Sequence, residues 1–184
     1  MVEDKELPRG FKGILFKEKE IQDKILELAE KIDQDYQGKE LVIIIVLKGA
    51  YLFAADLTRK LKAIHTISFI TTSTYKGSSV LKEVSIIGEL DVNIAGKEVL
   101  VVEDIIDTGH TLDKVLAYLK QKNPQSLHVC TLLNKEEKRE VEIPIKYCGF
   151  EVDKDKWLVG YGFDLNDQYR NLPFLGWVSP DDWR

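Results

Sequence analysis

Apolar positions along the first half of the chain recur at two different spacings. Between residues 18 and 35, Ile21, Ile25, Leu28, Ala29 and Ile32 fall at i, i+4, i+7, i+8 and i+11, one face of an amphipathic helix.

ELVIIIVL, residues 40–47, follows as an almost unbroken apolar run rich in β-branched side chains, the pattern of a strand covered on both faces. It stops at Lys48-Gly49, and YLFAADLTRKL then predicts a second helix. HTISFITTST (65–74) predicts a strand, TYKGSSVLKEV (74–84) a loop or mobile hairpin, and SIIGEL (85–90) its return strand. KEVLVVED (97–104) is a further buried strand. A helix starting at Thr111 carries Leu112, Val115, Leu116 and Leu119 on one face and ends near Asn123-Pro124. SLHVCTLL (126–133) is again a buried strand, NKEEKREVE (134–142) reads as a charged, solvated surface, and short strands are expected around 145–150, 157–161 and LGWV.

Strands alternating with helices predict an α/β fold, a mostly parallel open sheet flanked by helices. In such sheets ligands bind beyond the C-terminal strand ends, where Lys48-Gly49, the acidic residues after 102 and Lys135 all fall. With 184 residues and no internal repeat, one domain covering 1–184 is expected. A net charge of −5 argues against a surface that is basic throughout, so no nucleic-acid partner is expected. No apolar run approaches the ~18 residues that span a bilayer, and MVEDKELPRG lacks the apolar stretch of a secretion signal. Cys130 and Cys148 sit in apolar stretches without a CxxC and read as buried, reduced thiols. The expected setting is cytoplasmic, with no membrane partner.

The chemistry concentrates in VLVVEDIIDTGHTL, residues 99–112. Asp107-Thr108-Gly109-His110-Thr111 is a short loop running into a helix, whose first N–H groups are unpaired and carry partial positive charge. Glycine allows close backbone approach and the threonines add hydroxyl donors, which together suit a phosphate. Neither GxxxxGK[ST] nor GxGxxG occurs. Glu103 and Asp104 lie just before this loop. Two adjacent carboxylates repel unless a cation neutralises them or sugar hydroxyls donate to them. A ligand with a phosphate, a ribose and Mg²⁺ satisfies every group in the stretch. Read singly, Asp107 and Thr111 are no more than helix caps.

This stretch resembles the phosphoribosyl-diphosphate (PRPP) signature of type I phosphoribosyltransferases, in the form carried by the hypoxanthine-guanine phosphoribosyltransferases. LKG at 47–49 resembles that family's pyrophosphate loop, Ser73-Thr74-Tyr75 its mobile lid, LLNK at 132–135 its purine-contacting lysine segment, and KWLVGYGFDLNDQYRNLP at 156–173 its C-terminal segment. The resemblance implies a core of about 36–150 with a hood from 1–17 and about 151–184. It implies a purine-salvage transferase that moves the phosphoribosyl group from PRPP to N9 of hypoxanthine or guanine, with Mg²⁺ as cofactor. Thr108, Gly109, His110 and Thr111 then hold the 5′-phosphate, Glu103 and Asp104 face the ribose hydroxyls directly or through metal, and Lys48, Gly49 and Arg170 meet pyrophosphate. Lys135 donates to the purine O6, Trp157 stacks on the ring, and backbone near Leu158 and Asp164 reads the N1 and N2 edge. Asp164 also helps hold a second metal, and Asp107 is the general base or proton relay near N7. Thr74 and Tyr75 belong to a lid that keeps water from the oxocarbenium-like ribose. The Leu47-Lys48 peptide is expected to be cis, and the assembly a homodimer or homotetramer.

The chain departs from the family at His110, often lysine, at Trp157, often a smaller aromatic, and at Glu136-Glu137, where another basic residue is common. These changes predict an altered phosphate affinity, a larger stacking surface and a weaker positive field around Lys135. His65 and His128 read as structural, and Trp177 and Trp183 as packing or subunit contacts. A xanthine-preferring enzyme, an RNA-binding regulator of the same fold and a non-catalytic Mg²⁺-nucleotide module are the rival readings.

Overall fold

The computed structural model describes residues 7, 8, 10–75, 83–153 and 155–179, with Thr74, Tyr75 and Glu83 described in backbone only. Six strands form the main sheet in the order β4-β3-β2-β5-β6-β7: β2 (Leu41–Leu47), β3 (His65–Tyr75), β4 (Glu83–Ile87), β5 (Glu98–Ile106), β6 (Ser126–Asn134) and β7 (Tyr147–Glu151). All neighbours pair in parallel except β3 and β4. The mostly parallel open sheet expected from the sequence is therefore the fold.

Helices cover both faces, which explains the unbroken apolar runs of the central strands. On one face α1 (Glu18–Asp35) and α2 (Tyr51–Thr58) pack Ile21, Ile25, Leu28, Phe53 and Leu57 against Ile43, Ile45, Leu100 and Val102. On the other, α3 (His110–Lys120) packs Leu112, Val115 and Leu119 against Val42, Ile44, Val99 and Val101. Alternate residues of β2 thus enter opposite cores, and every one from Leu41 to Val46 is buried.

A second sheet of three antiparallel strands, β1-β9-β8, joins the two ends of the described chain: β1 (Phe11–Phe16), β9 (Leu175–Val178) and β8 (Trp157–Val159). Leu158, Tyr161, Phe163 and Leu175 enter the same core as α1 and α2. The division into a core of about 36–150 and a hood from the two chain ends is proposed on this separation of sheets.

Several element boundaries differ from the sequence reading. β5 runs two residues past Asp104 because Ile105 and Ile106 continue the pairing with Leu133 and Asn134 of β6. α3 begins at His110, with Gly109 at its N-cap in the left-handed region (φ 94°), a conformation glycine adopts without steric cost. β1 has no counterpart in the sequence reading, since its partner β9 lies at the far end of the chain. Cys130 is buried as expected, but Cys148 is only half-buried; neither is in a disulfide. His65 and His128 have structural partners, the Ala63 carbonyl at 2.7 Å and the Tyr36 hydroxyl at 3.0 Å. Trp177 packs against the core of the α1 and α2 face, whereas Trp183 lies outside the described residues. Among the described residues no helix is long and apolar enough to cross a membrane.

Candidate active site

β2 leads through α2 to β3 on one side of the sheet, while β5 leads through α3 to β6 on the other. The connections diverge between β2 and β5, the place where an open α/β sheet forms a ligand crevice. Pairing of β2 with β5 stops at Ile45 and Val102. Beyond it the strands frame a cavity of about 280 Å³, walled by Val46, Leu47 and Gly49 on one side, Thr72 on β3, and Glu103 through Gly109 with Thr111 and Leu112 on the other. A second cavity of about 420 Å³ is lined by Lys135, Lys138, Asp155 through Leu158, Phe163, Asp164 and Arg170. Asp104, Ile105 and Asp107 line both cavities. The two spaces are one bipartite site, joined along the acidic end of β5.

The first cavity is shaped by backbone. No side chain caps α3, so the N–H groups of its first turn remain available to an anion. A Cβ on Gly109 would stand 2.6 Å from the Val141 carbonyl oxygen, and one on Gly49 would stand 1.8 Å from Asp104 Oδ2. Both glycines are required by close approach, the second because the Lys48-Gly49 turn lies directly on the Asp104 carboxyl. The Leu47-Lys48 peptide is cis, as the resemblance implied. Gly162 in turn packs on the Gly49 carbonyl, with room for no Cβ.

Glu103 and Asp104 dominate the electrostatics. Glu103 is 7% exposed. Burial, then the neighbouring Asp104 charge, holds its carboxyl well above the ordinary carboxylate range. Burial also raises Asp104, partly offset by hydrogen bonds from Glu103 and from backbone N–H groups and by the Arg170 charge. Asp104 Oδ1 accepts from the Ile105 N–H at 2.7 Å, and Glu103 Oε1 from the Asp104 N–H at 3.2 Å. Asp107 is not a helix cap: its Oδ2 lies 3.5 Å from Lys138 Nζ, and its buried Oδ1 has no hydrogen-bond partner among the described residues.

The second cavity is shaped by side chains. Lys135 is 5% exposed and donates to the Lys156 carbonyl at 2.8 Å; burial, then the Lys138 charge, lowers its pKa. Trp157, 55% exposed, forms an open aromatic wall beside buried Leu158. Arg170 donates to the Gly162 carbonyl at 2.6 Å and pairs with Asp164 Oδ1 at 2.6 Å, while Asp164 Oδ2 accepts from the Asp167 N–H at 2.8 Å.

Most sequence-predicted residues thus meet at the site: Gly49, Glu103, Asp104, Asp107, Thr108, Gly109 and Thr111 in the first cavity, and Lys135, Trp157, Leu158, Asp164 and Arg170 in the second. His110 does not line either; its Nε2 is 2.8 Å from Glu140 Oε2 at the surface. Lys48 is exposed, 3.7 Å from Asp167. The Thr74 and Tyr75 backbones end β3, but their side chains and residues 76–82 of the expected lid lie outside the described residues.

The solvated surface expected over 134–142 is exposed at Glu136, Glu137, Lys138, Glu140 and Glu142, but the segment also makes specific contacts with the turn before α3. The Glu140 and Val141 N–H groups both donate to the Thr108 carbonyl at 3.0 Å, and Arg139 donates to the carbonyls of Asp107 and Ile106. Ile143 is buried and Val141 packs beside it. Lys138 also adds positive charge to the Lys135 cavity, so Glu136-Glu137 do not leave Lys135 without cationic company. The alternation Arg139-Glu140-Val141-Glu142-Ile143 was the available signal, a period-two pattern of a half-buried segment.

A family model described as a phosphoribosyl transferase domain matches residues 13–166. The hypoxanthine phosphoribosyltransferase of Salmonella typhimurium is 43% identical over 168 residues, which span 90% of this chain and 94% of that protein. The hypoxanthine-guanine phosphoribosyltransferase of Dictyostelium discoideum is 40% identical over 176 residues, 93% of this chain and 97% of that one. The crystal structure of a hypoxanthine-guanine phosphoribosyltransferase from Bacillus anthracis is 45% identical with a TM-score of 0.85, covering 91% and 98% of the two chains. That of a hypoxanthine phosphoribosyltransferase from Staphylococcus aureus is 37% identical with a TM-score of 0.89, covering 95% of each. With its sheet order, its bipartite crevice and this likeness along nearly its whole length, the chain belongs to the phosphoribosyltransferase family, among the hypoxanthine phosphoribosyltransferases.

Proposed function

We propose that this chain transfers the phosphoribosyl group of PRPP to N9 of hypoxanthine or guanine, releasing pyrophosphate. One observation carries the reading: an anion-binding helix terminus and a lysine- and tryptophan-lined cavity meet along Asp104, Ile105 and Asp107. A ribose bearing a phosphate on one side and receiving a flat base on the other fits that junction.

In this reading the N–H groups from Thr108 to Thr111 bind the 5′-phosphate, with the His110 side chain turned away toward Glu140. Glu103 and Asp104 accept from the ribose hydroxyls. Lys48, Gly49 and Arg170 meet the pyrophosphate, where cationic groups stabilise the charge that builds as the bond breaks. Trp157 stacks on the base, Lys135 donates to O6, and backbone near Leu158 and Asp164 reads the opposite edge. Adenine offers Lys135 an amino group where it needs an acceptor, and is rejected. Asp107 takes the proton at the imidazole side of the purine, and Thr74 and Tyr75 close the lid.

The donor set fits Mg²⁺. Two adjacent buried carboxylates whose protonation is favoured by burial call for a neutralising cation, and Mg²⁺ is commonly held by one or two carboxylates together with substrate oxygens and water. Among the described residues no group of three or more acidic, histidine or cysteine side chains could hold a metal. Glu103 and Asp104 are the proposed holders, with Asp164 for a second ion. When bound, the metal supplies charge neutralisation at the pyrophosphate.

A homodimer or homotetramer is also proposed. Its support is an exposed apolar strip of Ile67 and Phe69 on β3 with Ile87 on β4; a Phe69→Glu chain sedimenting at the wild-type mass removes the strip from that role.

The test is pyrophosphate release from PRPP and Mg²⁺ with hypoxanthine, guanine, xanthine, adenine and uracil offered singly. Release with the first two supports the reading. Release with adenine or uracil alone overturns it, and a marked preference for xanthine moves the substrate assignment.

A further inference from the structure

The segment after β6 grips Asp107 at two points. Residues 136–138 form one 3₁₀ turn, anchored to β5 where the Lys135 N–H donates to the Ile106 carbonyl at 3.0 Å. Lys138 Nζ reaches from this turn to 3.5 Å from Asp107 Oδ2. The next side chain, Arg139, donates from Nε to the Asp107 carbonyl at 3.2 Å. Arg139 Nη2 also donates to the Ile106 carbonyl and to Asn134 Oδ1, and Asn134 Nδ2 donates to both oxygens of Glu151 on β7 at 3.0 and 2.9 Å. The guanidinium is therefore fixed to the sheet. The loop itself does not orient the Asp107 carboxylate: among the described residues no side chain caps α3, and Asp107 Oδ1 has no partner. Lys138 lines the second cavity, as Asp107 does.

We propose that Lys138 and Arg139 are positioning residues for the transfer: Arg139 fixes the backbone of Asp107, and Lys138 fixes its carboxylate at the wall of the purine cavity. The inference rests on the reading that Asp107 acts on the bound purine. An ammonium against one carboxylate oxygen restricts its rotation. Loss of the Lys138 contact leaves the cavity intact and the reacting carboxylate misaligned, so its effect falls on turnover more than on binding.

The experiment is a double-mutant cycle between Lys138 and Asp107 in the full-length protein. Lys138→Met is expected to lower kcat about tenfold, the effect of one charge-assisted contact, with KM for PRPP and hypoxanthine within about twofold. Tm stays unchanged, because the lysine side chain is 40% exposed, and Lys138→Arg restores most of kcat. In an Asp107→Asn background, Lys138→Met has no further effect on kcat, because the group it orients is gone. Arg139→Gln, assayed well below its own Tm, lowers kcat and also raises KM for PRPP, since the same backbone carries Thr108. Losses at Lys138 and Asp107 that multiply, or a wild-type kcat for Lys138→Met, overturn the role of Lys138; a wild-type kcat for Arg139→Gln overturns that of Arg139. Asp107→Asn with wild-type kcat removes the reading of Asp107 itself, a different outcome from either.

Discussion

The two walls of the site are built in opposite ways. The wall beside α3 is one continuous stretch, Glu103 to Leu112, in which a strand end, a turn and a helix start supply the binding groups. The wall of the second cavity gathers Lys135, Trp157, Asp164 and Arg170 from separated parts of the chain. The first presents backbone N–H groups and depends on glycines having no side chain. The second presents side chains and depends on residues 155–170 lying against Lys135. A substitution that adds atoms therefore damages the first wall, whereas one that removes atoms damages the second.

The junction shared by both walls is the place to break this comparison. Asp107→Asn keeps the shape and removes the proposed base, so kcat is expected to fall by about 10²- to 10⁴-fold with KM for PRPP little changed. Steady-state kinetics with both substrates checks the split.

Lys135→Met tests the side-chain wall. Loss of a hydrogen bond from a charged donor is worth about 1.5–3 kcal/mol, so kcat/KM for hypoxanthine falls by about 10- to 150-fold while KM for PRPP holds. Discrimination against adenine narrows at the same time, which competition between the two bases measures.

Gly109→Ala tests the backbone wall. A side chain in the left-handed region costs about 1–2 kcal/mol, and this Cβ also meets the Val141 carbonyl. KM for PRPP is expected to rise by about 5- to 30-fold with the purine KM unaltered. An unaltered KM for PRPP would show that the turn relaxes and that the glycine is not what shapes this wall.

The acidic end of β5 gives a pH signature without substrate. Both carboxyls titrate above their ordinary values of 4.5 and 3.8 in the fold. The folded protein then keeps protons that the unfolded chain releases, so stability falls as pH rises from those values through the raised ones. Glu103→Gln flattens this dependence and raises the substrate-free Tm at pH 8 by about 2–4 °C per kcal/mol recovered. Mg²⁺ with PRPP raises the wild-type Tm more than that of the variant.

The smallest effect is expected at His110. Its side chain lies outside both cavities, paired with Glu140 at the surface. His110→Ala is expected to change KM for PRPP by no more than about twofold, since an exposed ion pair contributes about 0–1 kcal/mol. A tenfold loss, read in the same assay, would give this side chain a direct part in phosphate binding.

Much of this architecture was legible in the residues themselves. LVIIIVL suits a strand buried on both sides, because it is rich in β-branched residues and no face of it is polar, and the spacing from Ile21 to Ile32 suits a one-sided helix. The wall beside α3 was legible for the same reason: its groups are neighbours in sequence, so local geometry already assembles them. β1 was not, because a short strand with Gly13 in it takes its meaning from β9, more than 150 residues away. Lys138 and Arg139 were not, because charge in a polar run predicts solvent unless a partner is known to wait for it.

What the sequence determined by itself was the alternation of strands and helices and the chemistry of the Glu103–Thr111 stretch, both products of short-range periodicity and turn preference. Only the tertiary structure decided that Lys135, Trp157 and Arg170 share a cavity with Asp104 and Asp107, that the Lys48-Gly49 turn rests on Asp104, and that a charged segment buttresses the turn before α3. Those contacts join residues far apart along the chain, and their geometry depends on strand order and on how the second sheet packs, which no local pattern encodes.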